Sequence, residues 1–325
     1  MKNILVAGGG GFIGGYLVRD LVTAGHQVTA VDVKPVEDWY QVHPQANNFS
    51  RDLSLLNECE LSMQGIDEVY NLAADMGGMG FIENNKAACM LSVLINTHLL
   101  MAAKNHGAKR FFYASSACVY NGSLQDSEDN PGLKEEDAYP AMPEDGYGWE
   151  KLFSERMCRH FYEDFGIETR VARYHNVYGP LGTWDGGREK APAALARKVA
   201  TAKIENIRSI EIWGDGEQTR SFTYIDDCIK GTLLLMDSEV REPINIGSDQ
   251  MVSINQMVGI LEEIAGIQLD REYNLTAPKG VRGRNSENSK VRELLGWEPT
   301  ITLEHGLLQT YNWIHQEILT GAKRK

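Results

Sequence analysis

The chain has 325 residues, of which 42% are hydrophobic and 24% are charged, and its net charge is −13. This length allows about two domains. The negative charge argues against nucleic acids and anionic membranes as partners, because both require an extended basic surface. A small phosphorylated ligand remains compatible with it, since a few well-placed cations suffice to bind one.

Cysteine usage and the start of the chain bear on its compartment. The five cysteines are widely spread and include no CxxC pair, which indicates a reducing compartment and no disulfide framework. No histidine and cysteine spacing predicts a metal site. The first apolar run begins within three residues of the start, and no apolar stretch approaches the roughly 18 residues of a membrane span. We therefore expect a cytoplasmic protein that does not bind membranes.

Up to about residue 175, short apolar runs alternate with longer amphipathic segments. The runs predict strands at 3–8, 27–33, 68–74, 110–116 and 168–174, and the segments predict helices that include 14–25 and 91–107. This alternation is typical of repeated βαβ units whose parallel sheet is covered on both faces. We expect an α/β fold, with residues 1–175 as its first domain.

Beyond residue 175 the alternation is looser. Residues 209–227 predict two strands joined by a turn at Asp215–Gly216, and 243–248 predict one more strand. Ser253 is a plausible N-cap for a helix over 253–267. We expect a smaller C-terminal α/β domain over 176–325, with a segment near 221–248 returning to the first domain.

The stretch GGGGFIG at 8–14 follows the first strand and opens the first helix. Its glycines permit a tight turn and bring backbone N–H groups close to a pyrophosphate, which the helix N-terminus attracts. The residues predicted to hold this group are Gly8, Gly11, Phe12, Ile13 and Gly14. The pattern predicts a dinucleotide site on a Rossmann-type, doubly wound parallel sheet.

Two acidic residues complete the predicted dinucleotide site. Asp32 ends the second strand, where an acid accepts hydrogen bonds from a ribose diol and repels a 2′-phosphate. Asp52 is a candidate for the adenine side. The sequence therefore predicts NAD rather than NADP.

Tyr147 and Lys151 are spaced Tyr-x-x-x-Lys on a predicted helix. Residues four apart share one helix face, so the ammonium lies near the phenol and favours its phenolate form. Ser116, at the end of the strand at 110–116, is placed to hydrogen-bond the same substrate hydroxyl. These three residues predict a site that takes a proton from an alcohol during hydride transfer.

Long motifs give the chain a family resemblance that covers nearly its whole length. They are NLAADMGGMGFI (71–82), FFYASSACVY (111–120), GGREKAP (186–192), WGDGEQTRSFTYID (213–226) and GVRGRNS (280–286). With the glycine pattern and YxxxK, they resemble the extended short-chain dehydrogenase/reductase family of nucleotide-sugar enzymes. Within that family the likeness is greatest to the enzymes that epimerise GDP-mannose at C3 and C5.

The resemblance implies a specific use of NAD. Tyr147 acts as base while C4 of the hexose is oxidised, and the resulting 4-keto sugar has acidic hydrogens at C3 and C5. Cys118 is the implied base and Lys190 the implied acid, acting from opposite faces before C4 is reduced again. The implied products are GDP-L-galactose and, after inversion at C5 alone, GDP-L-gulose.

An acidic protein that binds a sugar nucleotide must concentrate cations locally. The candidates for the diphosphate and base are Lys198, Arg220, Arg282 and Arg284. The resemblance adds Asn176 at the hexose or the diphosphate, and Gly77 and Gly78 at the sugar. It also implies a homodimer through helices near 91–106 and 147–164.

Two departures and three alternatives stay open. The acidic segment 121–137 and the stretch 199–209 do not follow the pattern of the 3,5-epimerases. A nucleotide-sugar 4-epimerase or a 4,6-dehydratase shares the scaffold, although no Asp-Glu pair follows Ser116 as a dehydratase requires. A non-catalytic NAD-sensing protein is the alternative from another class, and it would not need Tyr147 and Lys151.

Overall fold

The computed structural model of the chain describes residues 1–278 and 280–321. Its strands are β1 (Asn3–Ala7), β2 (Gln27–Asp32), β3 (Asn47–Ser50), β4 (Glu68–Asn71), β5 (Arg110–Ser116), β6 (Glu168–Tyr174), β7 (Val177–Tyr178), β8 (Ser209–Trp213), β9 (Thr219–Ser221), β10 (Thr223–Tyr224), β11 (Ile244–Ile246), β12 (Met251–Ser253), β13 (Asp270–Asn274) and β14 (Gly283–Arg284). Its helices are α1 (Phe12–Thr23), α2 (Leu56–Ser62), α3 (Met79–Asn84), α4 (Lys86–Leu91), α5 (Val93–His106), α6 (Asp145–Phe165), α7 (Ala191–Glu205), α8 (Ile225–Asp237), α9 (Ile254–Ala265), α10 (Ser289–Leu295) and α11 (Leu303–Thr320).

Seven strands form one parallel sheet in the order β11-β6-β5-β4-β1-β2-β3. The five predicted strands of the first half are present, and the predicted α/β fold class is confirmed. β3 was not predicted, because its sequence NNFS is polar and lies at the open edge of the sheet. β11 arrives from the second half of the chain and pairs with β6, with Ile244 opposite Ala172.

The alternation of side chains along β1 shows why both faces of the sheet are covered. Ile4 and Val6 pack with Leu17 of α1 on one face, while Leu5 and Ala7 pack with Leu99 of α5 on the other. Successive side chains of a strand point to opposite faces, so a run that is apolar throughout requires helices on both sides. α2, α5 and α6 cover the second face, and α1 and α8 cover the first.

The second half of the chain packs α7, α9 and α11 together beside three small sheets. The predicted hairpin at 209–227 is wrong: β8 pairs in parallel with β13, whereas β9 pairs with β12 and β14. Gly214 and Gly216, at φ 79° and 78°, turn the chain from one sheet into another. The turn at Asp215–Gly216 exists, but it does not join neighbouring strands.

The stretch Lys86–His106 is long and apolar enough to cross a membrane by length and composition alone, with a mean hydropathy of 1.4. The sequence analysis did not expect such a stretch. Part of it is buried in the protein, where Asn96, Leu99 and Leu100 of α5 pack beneath the sheet. Core helices of globular proteins often have this composition, so the finding is weak support for a membrane span.

Candidate active site

The turn between β1 and α1 forms a cradle that only glycine fits. Gly8 has φ 82°, and a Cβ on Gly14 would lie 2.0 Å from the Gly8 carbonyl oxygen. Phe12 and Ile13 then begin α1, whose N-terminus lies at the C-terminal end of the parallel strands. This geometry fits a dinucleotide pyrophosphate, because backbone N–H groups can approach the phosphates closely.

The two predicted acids lie at the same edge of the sheet. Asp32 is 9% exposed, and its Oδ2 lies 4.0 Å from the place a Cβ on Gly11 would take. Its Oδ1 accepts a hydrogen bond from the backbone N–H of Lys34 (3.1 Å). Asp52 follows β3, is exposed, and accepts from the backbone N–H of Ser54 (2.9 Å). The structure brings Asp32 to the cradle and leaves Asp52 at the surface nearby.

The first two turns of α6 position Tyr147 and Lys151 beside the end of β5. Both residues are buried, and Lys151 Nζ lies 5.5 Å from the centre of the Tyr147 ring. Tyr147 and Ser116 line one cavity of about 260 Å³. Burial, helped by Cys118 and Glu150, raises the pKa of Tyr147 well above its usual value, and the Ser116 hydroxyl opposes this shift.

Glu150 is a functional-site neighbour that the sequence analysis missed. Its Oε1 accepts hydrogen bonds from the Tyr113 hydroxyl (3.0 Å) and the Ser154 hydroxyl (2.9 Å). Its Oε2 lies 3.5 Å from Lys151 Nζ, with both side chains almost fully buried. No local sequence pattern marks this residue, because its partners lie on β5 as well as on its own helix.

Cys118 lies in a short 3-10 turn that follows β5, against the N-terminus of α6. The Ser116 hydroxyl caps this turn by accepting from the Cys118 N–H (3.2 Å), and Gly148 allows close approach, because a Cβ there would lie 2.4 Å from the Cys118 carbonyl oxygen. The backbone N–H of Glu144 donates to that same carbonyl (2.9 Å). The thiol thus lies in the cavity wall near the Tyr147 ring.

Arg284 connects the thiol to a carboxylate. Its Nη1 donates to Cys118 Sγ (3.6 Å), its Nη2 to Glu144 Oε1 (2.5 Å) and its Nε to Gln125 Oε1 (2.6 Å). Burial, together with Glu144, raises the pKa of Cys118 to about 11, against the effect of Arg284. Burial would raise the pKa of Glu144 too, but Arg284 holds it below its usual value. Glu144 was also missed by the sequence analysis.

Lys190 immediately precedes α7 and lines the same cavity as Cys118. Burial lowers the pKa of its ammonium group, Arg284 lowers it further, and the thiols of Cys118 and Cys228 oppose these effects. Cys118 and Lys190 are 72 positions apart in the chain and line the same cavity. An amine of lowered pKa in such a place can exchange protons more readily than an exposed lysine.

The rest of the cavity wall carries several cationic side chains, and some of its residues were predicted from the sequence. Of the substrate-binding candidates, the cavity is lined by Gly77, Gly78, Asn176, Lys198, Arg220 and Arg284, in addition to Ser116 and Lys190. Burial and Arg284 lower the pKa of Arg220 to about 10, so it remains a cation at neutral pH. The sequence analysis did not single out Trp213 and Gln218, which also line the cavity.

The structure does not bring Arg282 to the cavity that the other substrate-binding candidates line. Its guanidinium pairs with Asp215 (2.8 Å) and with Glu128, and it does not line the cavity. Arg282 precedes β14 and is held outside the cavity by these two carboxylates, one in the acidic segment 121–137 and the other in the turn after β8. Arg284, in β14, lines the cavity instead.

Two glycine-containing loops meet over the cavity. The Gly78 N–H donates to the Arg188 carbonyl (3.0 Å), and a Cβ on Gly78 would lie 2.4 Å from the Glu189 carbonyl oxygen. Arg188 in turn pairs with Asp75 (2.6 Å) and lies 3.8 Å over the Phe81 ring. The loop before α3 and the loop before α7 thus form one connected rim.

Curated proteins of known name resemble the chain over nearly its full length. GDP-mannose 3,5-epimerase 1 of Oryza sativa subsp. japonica is 49% identical over 325 residues, which cover 97% of this chain and 82% of the relative. The GDP-mannose 3,5-epimerase of Arabidopsis thaliana is 48% identical, with 97% and 83% covered. UDP-glucuronic acid decarboxylase 1 of Xenopus tropicalis is a more distant relative at 30% identity, with 98% and 73% covered.

Solved structures share the fold. A UDP-glucose 4-epimerase from Thermotoga maritima, solved with UDP-glucose, superposes with a TM-score of 0.86 at 27% identity, covering 97% of this chain and 99% of that one. A UDP-glucuronic acid 4-epimerase from Bacillus cereus, solved with UDP-glucuronic acid and NAD, gives 0.82 at 28% identity and the same coverage.

A family model for NAD-dependent epimerases and dehydratases matches residues 4–247, a span that runs from β1 beyond β11. It therefore includes the glycine cradle, Tyr147, Lys151, Cys118 and Lys190. The chain belongs to the NAD-dependent epimerase/dehydratase family.

Proposed function

We propose that this protein epimerises GDP-mannose at C3 and C5 through a transient 4-keto sugar, giving GDP-L-galactose and, after inversion at C5 alone, GDP-L-gulose. The observation that carries the proposal is the shared cavity of Cys118, Lys190, Ser116 and Tyr147. The near-50% identity to two plant enzymes of that name supports the choice of substrate.

Oxidation at C4 needs a hydride acceptor and a base for the hydroxyl proton. NAD, when held by Gly8, Gly11, Gly14 and Asp32, supplies reversible hydride acceptance. Tyr147 takes the proton of the C4 hydroxyl, and Ser116 orients that hydroxyl by a hydrogen bond. Lys151, 5.5 Å from the tyrosine ring centre, is the cation that favours the phenolate despite its burial.

The 4-keto group then makes the hydrogens at C3 and C5 acidic. Cys118 removes one of these protons and Lys190 returns a proton to the opposite face, which inverts the carbon. Both groups are held in the cavity wall, one by the turn after β5 and the other by the start of α7. Reduction at C4 restores the hydroxyl, so the reaction has no net redox change.

The diphosphate of the substrate requires fixed cations in a protein of net charge −13. Arg220 and Lys198 line the cavity, and we assign them to the diphosphate and the base. Arg220 is held in place by donating to the carbonyl of Val281 (2.5 Å), and Lys198 by donating to the carbonyl of Glu211 (2.6 Å). Asn176, whose Nδ2 donates to the Ser221 carbonyl (3.0 Å), is assigned to the sugar.

The two halves of the chain are assigned separate binding roles. We propose that residues 1–175, with the returning segment near 221–248, bind NAD, and that 176–325 bind the nucleotide sugar.

We further propose a homodimer through α4, α5 and α6, because large apolar side chains are exposed on these helices, namely those of Leu91, Leu94, Trp149 and Phe153. Apolar surface of this kind is typical of protein interfaces.

Deuterium wash-in tests the proposed reaction. Purified protein is incubated with GDP-mannose in heavy water without added NAD, and the sugar is analysed by NMR. We expect deuterium at C3 and C5 and a change of configuration at these carbons. Deuterium at neither carbon, a product inverted only at C4, or a 6-deoxy-4-keto product would contradict the proposal, and the last two outcomes would identify a 4-epimerase or a dehydratase.

A further inference from the structure

Cys118, Glu144 and Arg284 form one hydrogen-bonded group in the cavity wall. The Arg284 guanidinium donates to both the sulfur (3.6 Å) and the carboxylate (2.5 Å). The thiol and the carboxylate therefore lie against the same guanidinium, and their interaction raises the pKa of Cys118 and lowers that of Glu144. A carboxylate can only accept, so a hydrogen bond between the two groups runs from the thiol to Glu144.

Two protonation states of this group carry the same net charge. A thiol, a carboxylate and a guanidinium sum to zero, and so do a thiolate, a carboxylic acid and a guanidinium. Losing the thiol proton to solvent would instead leave a net negative charge in a site where Cys118 is 7% exposed. Burial of such a charge is costly, and transfer of the thiol proton to the neighbouring carboxylate forms a thiolate without adding a net charge to the site.

Building on the proposed epimerase function, we propose that Glu144 is a positioning residue that takes the thiol proton and thereby makes Cys118 the base. The S–H bond of Cys118 breaks as an O–H bond forms on Glu144. The sulfur lone pair then takes the proton at C5 or C3, and the C–H electron pair passes into the enolate oxygen at C4.

Lys190 completes the proton balance of the reaction. Its ammonium gives a proton to the opposite face of the carbon, which regenerates the 4-keto sugar. Cys118 then holds the substrate proton, Glu144 is protonated and Lys190 is neutral. Transfer of the Glu144 proton to the Lys190 amine through cavity water restores the starting state.

The other titratable and charged groups around the thiol come from several elements. Tyr147 lies on α6, Lys190 precedes α7, Arg220 lies on β9 and Cys89 lies on α4. The Ser116 hydroxyl, which accepts from the Cys118 backbone N–H, lowers the pKa of the thiol. Glu144 is the anionic member of this set, which makes it the available proton acceptor.

Thiol titration tests the coupling without substrate. Cys118 alkylation by iodoacetamide is followed against pH, with the labelled peptide located by mass spectrometry. We expect a midpoint near pH 11 in the wild type. In Glu144→Gln the midpoint falls by about one unit or more, since the carboxylate charge is lost and Arg284 remains. An unchanged midpoint would overturn the proposal.

The pH dependence of wash-in tests the proton transfer itself. In the wild type the active form has an ionised Glu144 and a neutral thiol, so the supply of thiolate does not vary from about pH 5.5 to 7. In Glu144→Gln the thiolate must form by loss to solvent, so the ratio of variant to wild-type rate falls about tenfold for each pH unit below the variant's midpoint. Taking this ratio cancels the titration of Lys190 and Tyr147, and a ratio that does not vary with pH would contradict the transfer.

Controls separate this proposal from folding and from the reaction assignment. Glu262→Gln removes a partly buried glutamate–arginine pair, with Arg271 at 3.0 Å, away from the cavity, and should change neither measurement. If Glu144→Gln does not fold, Glu144→Asp takes its place, because a side chain one methylene shorter holds the carboxylate farther from the sulfur; its thiol midpoint should fall below the wild-type value, and an equal midpoint would overturn the proposal. If the wild type shows no wash-in, the epimerase function fails, while the thiol midpoints still decide whether Glu144 controls the proton.

Discussion

At the residue scale, the reactive groups are held by partners far along the chain. The Cys118 thiol contacts Arg284, 166 residues away, and Arg284 is fixed in turn by Gln125 and Glu144. The motifs around Cys118 and Lys190 were visible in the sequence and singled out both. Glu144 and Glu150 were not, because a glutamate near a tyrosine carries no local pattern and its role depends on packing.

Replacing the thiol tests the assignment of the base. In Cys118→Ala we expect deuterium wash-in at C3 and C5 to fall by about 10²–10⁴-fold, which is the usual contribution of a general base. Oxidation at C4, followed by absorbance of the reduced cofactor after mixing with GDP-mannose, should persist, since Tyr147 is unchanged. Cys59→Ala, buried in the core between α2 and the sheet and outside the cavity, is the matched control. Normal wash-in by Cys118→Ala would show that another group is the base.

At the element scale, the rim of the cavity depends on two loops that hold each other. Asp75 and Arg188 are 42% and 47% exposed at their side chains, so their ion pair alone contributes little. The Gly78–Arg188 backbone hydrogen bond and the stacking of Arg188 on Phe81 add to it. Because the second loop ends at Lys190, this connection also fixes the position of the proposed acid.

Truncating Arg188 tests that connection. In Arg188→Ala we expect wash-in to fall several-fold, because Lys190 is less well positioned, with little change in melting temperature for a partly exposed pair. Arg188→Lys keeps the charge and loses the planar stacking, so it should recover only part of the rate. Arg159→Ala removes an exposed helix pair with Glu163 and serves as the control. Full activity in Arg188→Ala would mean that the two loops hold Lys190 without this side chain.

The sequence predicted the ends of helices correctly where contacts between neighbouring residues determine them. Ser253 does cap α9, accepting from the Gln256 N–H (3.1 Å), and Gly107 does end α5 in the left-handed conformation. The hairpin was wrong because strand pairing depends on distant β13, β12 and β14, which no local turn reveals. β3 was missed because an exposed edge strand needs no apolar pattern.

At the scale of the whole molecule, α4, α5 and α6 present an apolar surface that the rest of the described chain leaves uncovered. Leu91 and Phe153 are 61% and 56% exposed. α4 and α5 both contact α6, so these exposed side chains lie on neighbouring helices. Pairing of two such regions would give a four-helix contact of the kind that buries long apolar helices.

A charge in this region tests the homodimer. In Phe153→Glu we expect a shift from dimer to monomer in size-exclusion chromatography with light scattering, because a buried unpaired carboxylate opposes association. Leu319→Glu places the same charge on α11, where Leu319 is also exposed, and should leave the mass unchanged. A monomeric wild type, or a Phe153→Glu variant that stays dimeric, would contradict the proposed interface.

The late arrival of β11 in the central sheet has a consequence for biosynthesis. Until residues 244–246 leave the ribosome, the outer edge of β6 has no strand to pair with. Unpaired edges recruit other chains, so the nascent protein is most vulnerable to sticking to its neighbours during this interval. Completion of the seven-stranded sheet therefore waits on translation of most of the chain.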